Sequence, residues 1–266
     1  MNLKSILPYL ILPFGMAGYE AITFTVMNTM SFYSIQLSIL NPQNAFISLF
    51  WFDGYSNVIS LIAFVVGFDM VIFTIPSQVG KYFVAFFALI SSFYIAYYVN
   101  TLWLRQQTYY NYTYGQSGVV YALWGLFVGA LVISVIYFMV KHEFVYASFF
   151  IMISFVFLYF LSEDYSLFFN VSTNVNYFVH EHAFGYGIIA GIFISVFSLF
   201  VSVLVPSYNY YGIKGNPFHV ARTENPENTM NNTNEMAINF LFFSLIEFLL
   251  ESHNNYNLEL TQIRTN

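Results

Sequence analysis

Three chemically active groups lie near the starts of three separate apolar segments of the sequence. Asn57 opens one segment, Ser117 opens a second, and His182 lies near the start of a third, with His180 two residues before it. A serine hydroxyl becomes a nucleophile when an adjacent neutral imidazole accepts its proton. An amide N–H stabilises the oxyanion that forms when the serine attacks a carbonyl carbon. Together these residue types indicate acyl-transfer chemistry.

Each of these residues also has a purely structural interpretation. Ser117 is followed by Gly118, and small residues let neighbouring helices approach closely. A histidine at the end of a membrane helix is commonly a solvated interfacial residue. The chemical interpretation gains weight because the hydroxyl, the imidazole and the amide all lie at one predicted depth in the membrane.

The elements that must position these groups are membrane-spanning helices. Of the 266 residues, 58% are hydrophobic and only 8% are charged, which predicts an all-α polytopic membrane protein. A bilayer core of roughly 30 Å requires about 20 apolar residues per helix. Six segments approach or exceed that length, at residues 6–27, 57–75, 82–104, 117–140, 144–161 and 177–205.

The basic residues predict the orientation of the chain in the cell membrane. Short cytoplasmic loops are enriched in Lys and Arg. With the N-terminus in the cytoplasm, only Arg105 falls in an outer loop, and the cytoplasmic side receives Lys4, Lys81, Lys141, Lys214 and Arg222. The second, fourth and sixth helices then all begin at the outer face, which places the three candidate groups there.

Composition also excludes several classes of function. The chain has no cysteine, so disulfides, thiolate metal sites and cysteine nucleophiles are excluded. Its net charge of −6 argues against a nucleic-acid partner. We predict no cofactor and no metal site, and the expected surroundings of the chain are the lipid bilayer.

Small residues predict which two helices pack together. They recur at helical spacing on the fourth helix, at Gly118, Ala122, Gly125 and Gly129, and on the sixth, at Ala183, Gly187 and Gly191. Ser117 and His182 each lie one residue before such a strip, so contact between the strips is predicted to bring them together. His180 is the competing candidate, because about 200° of helix rotation separates it from His182 and only one of them can face Ser117.

Two motifs resemble those of the rhomboid intramembrane serine proteases, a family with a six-helix core. The segment GQSGVVYALWG at Gly115–Gly125 is similar to the family's GxSG active-site helix, and HAFG at His182–Gly185 is similar to its HxxG. The resemblance implies a Ser117–His182 dyad with Tyr121 stacked on the histidine. By the same match, Gly115, Gly118 and Gly185 support the active site.

The second helix matches the family only in part. Rhomboids commonly carry a histidine and an asparagine four residues apart there, both near the oxyanion, and an acid further along. Asn57 and Asp69 fit this pattern, which implies an oxyanion role for Asn57. Asp53 stands where the histidine is usual, and its carboxylate must be protonated, turned away or paired elsewhere. The Trp-Arg pair usual in the first outer loop is absent, since Trp103 and Arg105 fall in another loop.

The resemblance implies an endopeptidase that cleaves single-span or polytopic membrane proteins near the outer face. One alternative is a catalytically inactive rhomboid-like protein that binds membrane segments. A second is a small transporter, suggested by intramembrane acids such as Glu20 and Asp69. The absence of an internal repeat counts against the transporter.

Changes in composition along the sequence divide the whole chain into three predicted parts. Residues 1–205 form the predicted six-helix membrane domain, and residues 206–235, rich in Asn, Pro and Gly, form a polar cytoplasmic linker. Residues 236–266 contain a short amphipathic helix and a tail. The apolar part of that helix, 236–251, is short for a span, which favours an interfacial helix over a seventh crossing.

Overall fold

The computed structural model describes residues 3–52, 54–107, 112–155 and 177–204. These residues belong to one unit, Met1–Tyr208. The predictions made for Asp53, for the linker 206–235 and for the segment 236–266 lie outside the described residues.

Long helices dominate the described chain and confirm an all-α multi-pass membrane protein. The elements in chain order are α1 (Leu3–Thr29), α2 (Phe32–Ile35), β1 (Leu37–Ser38), two 3-10 turns (Pro42–Ala45 and Ile47–Phe50), α3 (Tyr55–Thr74), α4 (Gln78–Gln106), β2 (Tyr112–Thr113), α5 (Ser117–Val140), α6 (Phe144–Phe155) and α7 (Tyr177–Leu204). Five of them, α1, α3, α4, α5 and α7, are long and apolar enough to cross a membrane. The fifth predicted span, 144–161, is described only over the apolar helix α6, so a sixth crossing stays a prediction.

Helix α5 is the most enclosed of the five long helices. In its most apolar stretch 72% of the residues are buried, compared with 22–50% in the other four. A helix that is apolar on every side has no polar face to direct toward water, so neighbouring helices or lipid surround it. Ser117 is the first residue of this helix. It therefore lies on the long helix that its neighbours enclose most completely.

The predicted contact between two small-residue strips is confirmed at α5 and α7. A Cβ atom added to Gly125 would lie within 3.0 Å of the backbone of Gly187, and one added to Gly187 would lie 2.5 Å from the carbonyl oxygen of Ala122. Gly129 and Gly191 make equally close backbone approaches one turn further along. Because membrane helices associate through close packing, these glycines let α5 and α7 approach at backbone distance.

Helices α3 and α5 run side by side in the same direction. The Phe64 ring of α3 packs on the Trp124 ring of α5 with centroids 5.1 Å apart, and Phe68 lies 6.3 Å from Phe127 further along both helices. The first turns of α3 and α5 therefore lie at the same end of the bundle. Asn57 is in the first turn of α3, which agrees with the predicted shared depth of Asn57 and Ser117.

The connection between α1 and α3 folds back onto the segment that precedes α5. Strands β1 and β2 pair antiparallel, with Leu37 opposite Thr113 and Ser38 opposite Tyr112. The Tyr19 hydroxyl of α1 donates a hydrogen bond to the carbonyl oxygen of Leu49 in this connection. The segment that leads into α5 is thus paired through β2 with the connection between α1 and α3, and α1 in turn is hydrogen-bonded to that connection.

Candidate active site

The backbone turn before α5 fixes the position of Ser117. Gly115 has φ 114, in the region that favours glycine because a Cβ atom is disfavoured there. Its N–H donates to the carbonyl oxygen of Ser48 at 2.9 Å, and the N–H of Gln116 donates to that of Trp51 at 3.1 Å. Gly115 therefore lets the chain turn sharply into α5, directly before Ser117.

His180, in the first turn of α7, is the histidine that contacts Ser117. Its Nε2 lies 2.9 Å from the Ser117 hydroxyl oxygen. When the hydroxyl donates this hydrogen bond, Nε2 is the unprotonated ring nitrogen, which is the tautomer that a general base requires. Ser117 and His180 are both partly buried. The pair has the geometry of a nucleophile and its base.

The Tyr121 ring packs against the face of the His180 imidazole. The two rings are stacked, with centroids 4.2 Å apart and planes inclined by 15°. Tyr121 lies one turn after Ser117 on α5, and only 7% of its surface is exposed. The stacking implied for Tyr121 is therefore present, although its partner is His180 and not His182.

The prediction that His182 meets Ser117 is wrong. The Nδ1 atom of His182 lies 2.9 Å from the carbonyl oxygen of Phe178, and its ring stacks on the Phe178 ring with centroids 3.9 Å apart. Two residues of α-helix turn a side chain by about 200°. Since His180 faces α5, His182 must point away from it.

Gly185, chosen by the same motif match, also lies away from the close contact. A Cβ atom added to Gly185 would meet nothing within 4 Å, whereas Ala183 has no exposed surface. Gly118 lies close to α7 but not at backbone distance, because an added Cβ would lie 3.4 Å from the Val179 side chain, an ordinary packing distance. Gly118 is buried next to the site, whereas the space beside the Gly185 Cα atom is open.

Helical spacing contained a signal for the correct histidine. His180, Ala183, Gly187 and Gly191 follow one another at i, i+3, i+7 and i+11, which places them on one face of α7. The glycines of this face contact α5, so a histidine on the same face is directed toward α5 as well. His182, one residue before Ala183, is turned by about 100° from that face.

The intramembrane acid Asp69 is remote from Ser117 along the helix axis. It lies 12 residues after Asn57 on α3, which is about 18 Å at 1.5 Å per residue. Its Oδ1 atom is buried and has no hydrogen-bond partner among the described residues. Within the same part of the chain, no group of three His, Asp or Glu residues is arranged to hold a metal ion.

Comparison of the chain with protein-family models, with curated proteins and with solved structures finds no match.

Proposed function

We propose that the protein is an intramembrane serine endopeptidase of the rhomboid type, with Ser117 as nucleophile and His180 as general base. The observation that carries this proposal is the 2.9 Å contact between Ser117 Oγ and His180 Nε2. Ser117 lies at the N-terminus of α5, the most buried of the five long helices. The sequence around it resembles the rhomboid GxSG motif. The Tyr121 ring stacked on His180 supports the same assignment.

The proposed reaction proceeds through an acyl-enzyme. Ser117 Oγ forms a bond to the carbonyl carbon of the scissile peptide while its proton passes to His180 Nε2. His180 then donates this proton to the leaving nitrogen as the C–N bond breaks. A water molecule attacks the resulting ester, gives one proton to His180 and releases a carboxylic acid. His180 returns the proton to Ser117, which restores the starting state.

Donors for the oxyanion are available in the first turn of α5. No backbone carbonyl of the described residues accepts a hydrogen bond from the N–H of Ser117 or Gly118, as is normal for the first residues of a helix. An N–H group in this position stabilises negative charge that develops on a substrate oxygen. The Asn57 side chain, in the first turn of the neighbouring helix α3, is the proposed additional donor.

The proposed substrates are single-span or polytopic membrane proteins cleaved near the outer face of the cell membrane. The N-terminus is proposed to be cytoplasmic, from the distribution of Lys and Arg. A substrate helix must unwind before its carbonyl groups become accessible, because a helix in lipid pairs every backbone group internally. Segments with Gly or Pro at their outer end are therefore the preferred substrates.

Cleavage of a reporter in liposomes tests the proposal. The protein is reconstituted with two single-span reporters that differ only at the outer end of the span, which carries Gly-Pro in one and Leu-Leu in the other. We expect cleavage of the Gly-Pro reporter by the wild type and none by Ser117→Ala. Equal cleavage by both proteins would refute the proposal. Absence of both cleavage and fluorophosphonate labelling in folded wild type would favour an inactive binding protein.

Substitution of Tyr121 tests how the histidine is held. Tyr121→Leu removes the stacked ring, and an aromatic pair contributes about 0.5–1.5 kcal/mol beyond its buried area. We expect the labelling rate to fall by about two- to tenfold. Tyr121→Phe keeps the stack and should react like the wild type. A loss in Tyr121→Phe equal to that in Tyr121→Leu would assign the effect to the hydroxyl group and not to stacking.

A further inference from the structure

Gln116, immediately before Ser117, has a fully buried side chain with an amide group that makes no hydrogen bond to the described part of the chain. It has no exposed surface, and neither its Oε1 nor its Nε2 has a hydrogen-bond partner among the described residues. A buried amide without partners costs free energy, because it has lost its hydrogen bonds to water. Such a group next to a nucleophile suggests a ligand that supplies the missing partners.

The backbone of Gln116 is held firmly, so the unsatisfied group is confined to its side chain. Its N–H donates to the carbonyl oxygen of Trp51 at 3.1 Å. Its carbonyl oxygen accepts from the N–H groups of Val119 and Val120 at 3.0 and 3.2 Å. These three bonds hold the residue at the start of α5.

Helix periodicity places Gln116 at the α3 side of α5. Phe127, eleven residues further on, lies on the same face of the helix as Gln116, and its ring packs against Phe64 and Phe68 of α3, with centroids 6.3 Å away in each case. Asn57 precedes these two rings by seven and eleven residues, on the corresponding face of α3. Gln116 and Asn57 therefore lie near the same end of the seam between α3 and α5, beside Ser117.

We propose that Gln116 binds the backbone of the substrate, pairing its side-chain amide with one peptide group next to the scissile bond. This inference rests on the proposed function. Among the described residues the Gln116 amide has neither a donor nor an acceptor partner, and a peptide group supplies both. A substrate segment that has unwound in the membrane presents such groups without partners of their own. Pairing satisfies both sides and favours the unwound conformation that cleavage requires.

Comparison of two reactions on one variant tests this inference. Gln116→Met is close in volume and removes both polar groups. We expect kcat/KM for the Gly-Pro reporter to fall by about ten- to hundredfold, as for the loss of two hydrogen bonds. Labelling by a small fluorophosphonate, which has no peptide group, should stay near the wild-type rate. The matched control, Gln106→Met at the exposed end of α4, should cleave and label like the wild type.

The thermal midpoint of unfolding separates substrate binding from a structural role. Because Gln116→Met removes a buried amide that makes no hydrogen bond to any described residue, its midpoint should equal or exceed that of the wild type. A lower midpoint together with weaker cleavage would overturn the inference in favour of a structural role. Equal losses of cleavage and labelling would overturn it in favour of an oxyanion donor, and unchanged cleavage would overturn it directly. Absence of labelling in wild type would instead refute the proposed function.

Discussion

His180→Ala should lose reaction with a fluorophosphonate probe almost as completely as Ser117→Ala, whereas His182→Ala should keep it. The imidazole of His180 lies 2.9 Å from the Ser117 hydroxyl, and a positioned general base contributes about 10²–10⁴-fold to the rate. His182 faces Phe178 instead. The measurement is the rate of covalent labelling of purified protein in detergent, with thermal unfolding recorded for each variant.

The two histidines provide matched controls for each other, since they lie on the same helix turn and carry the same side chain. Loss of labelling in His182→Ala with normal labelling in His180→Ala would contradict the assigned pair. Equal and partial losses in both variants would indicate that neither imidazole acts as the base of Ser117. A selective loss in His180→Ala would support the nucleophile and base of the proposed mechanism together.

Gly125→Ala should destabilise the bundle, because the added methyl group would overlap the backbone of α7. The added Cβ would lie within 3.0 Å of backbone atoms of Gly187 and Ile188, and backbone cannot move aside as a flexible side chain can. Overpacking of a closely packed contact costs about 1–3 kcal/mol. Separation of α5 from α7 also moves His180 away from Ser117, so we expect slower labelling as well as a lower thermal midpoint.

Gly185→Ala is the matched control for this prediction. A Cβ atom at Gly185 meets nothing within 4 Å, and alanine is favoured over glycine inside a helix by about 1 kcal/mol. Its thermal midpoint should equal or exceed that of the wild type, with normal labelling. If Gly125→Ala were as stable as Gly185→Ala, the close contact between α5 and α7 would be refuted.

Much of the architecture could be predicted because it depends on local sequence patterns. Continuous apolar runs predicted the long helices, and the observed α5, Ser117–Val140, coincides with the predicted segment. The spacing of Gly125 and Gly187 within their strips predicted the contact between α5 and α7. The prediction of His182 was wrong because a residue next to a small-residue strip in sequence is turned by about 100° from the face of that strip. His180, three residues before Ala183, shares that face.

The sequence by itself determined that the chain is a multi-pass helical membrane protein and that Ser117 begins a helix lined with small residues. Both follow from local rules, since long apolar runs partition into lipid as helices and glycines permit close approach. Only the tertiary structure decided that His180 is the partner of Ser117 and that the Gln116 amide is buried with no hydrogen-bond partner in the described residues. These facts depend on the rotation of α7 about its axis and on the packing around the first turn of α5, which arise from contacts between residues far apart in the chain.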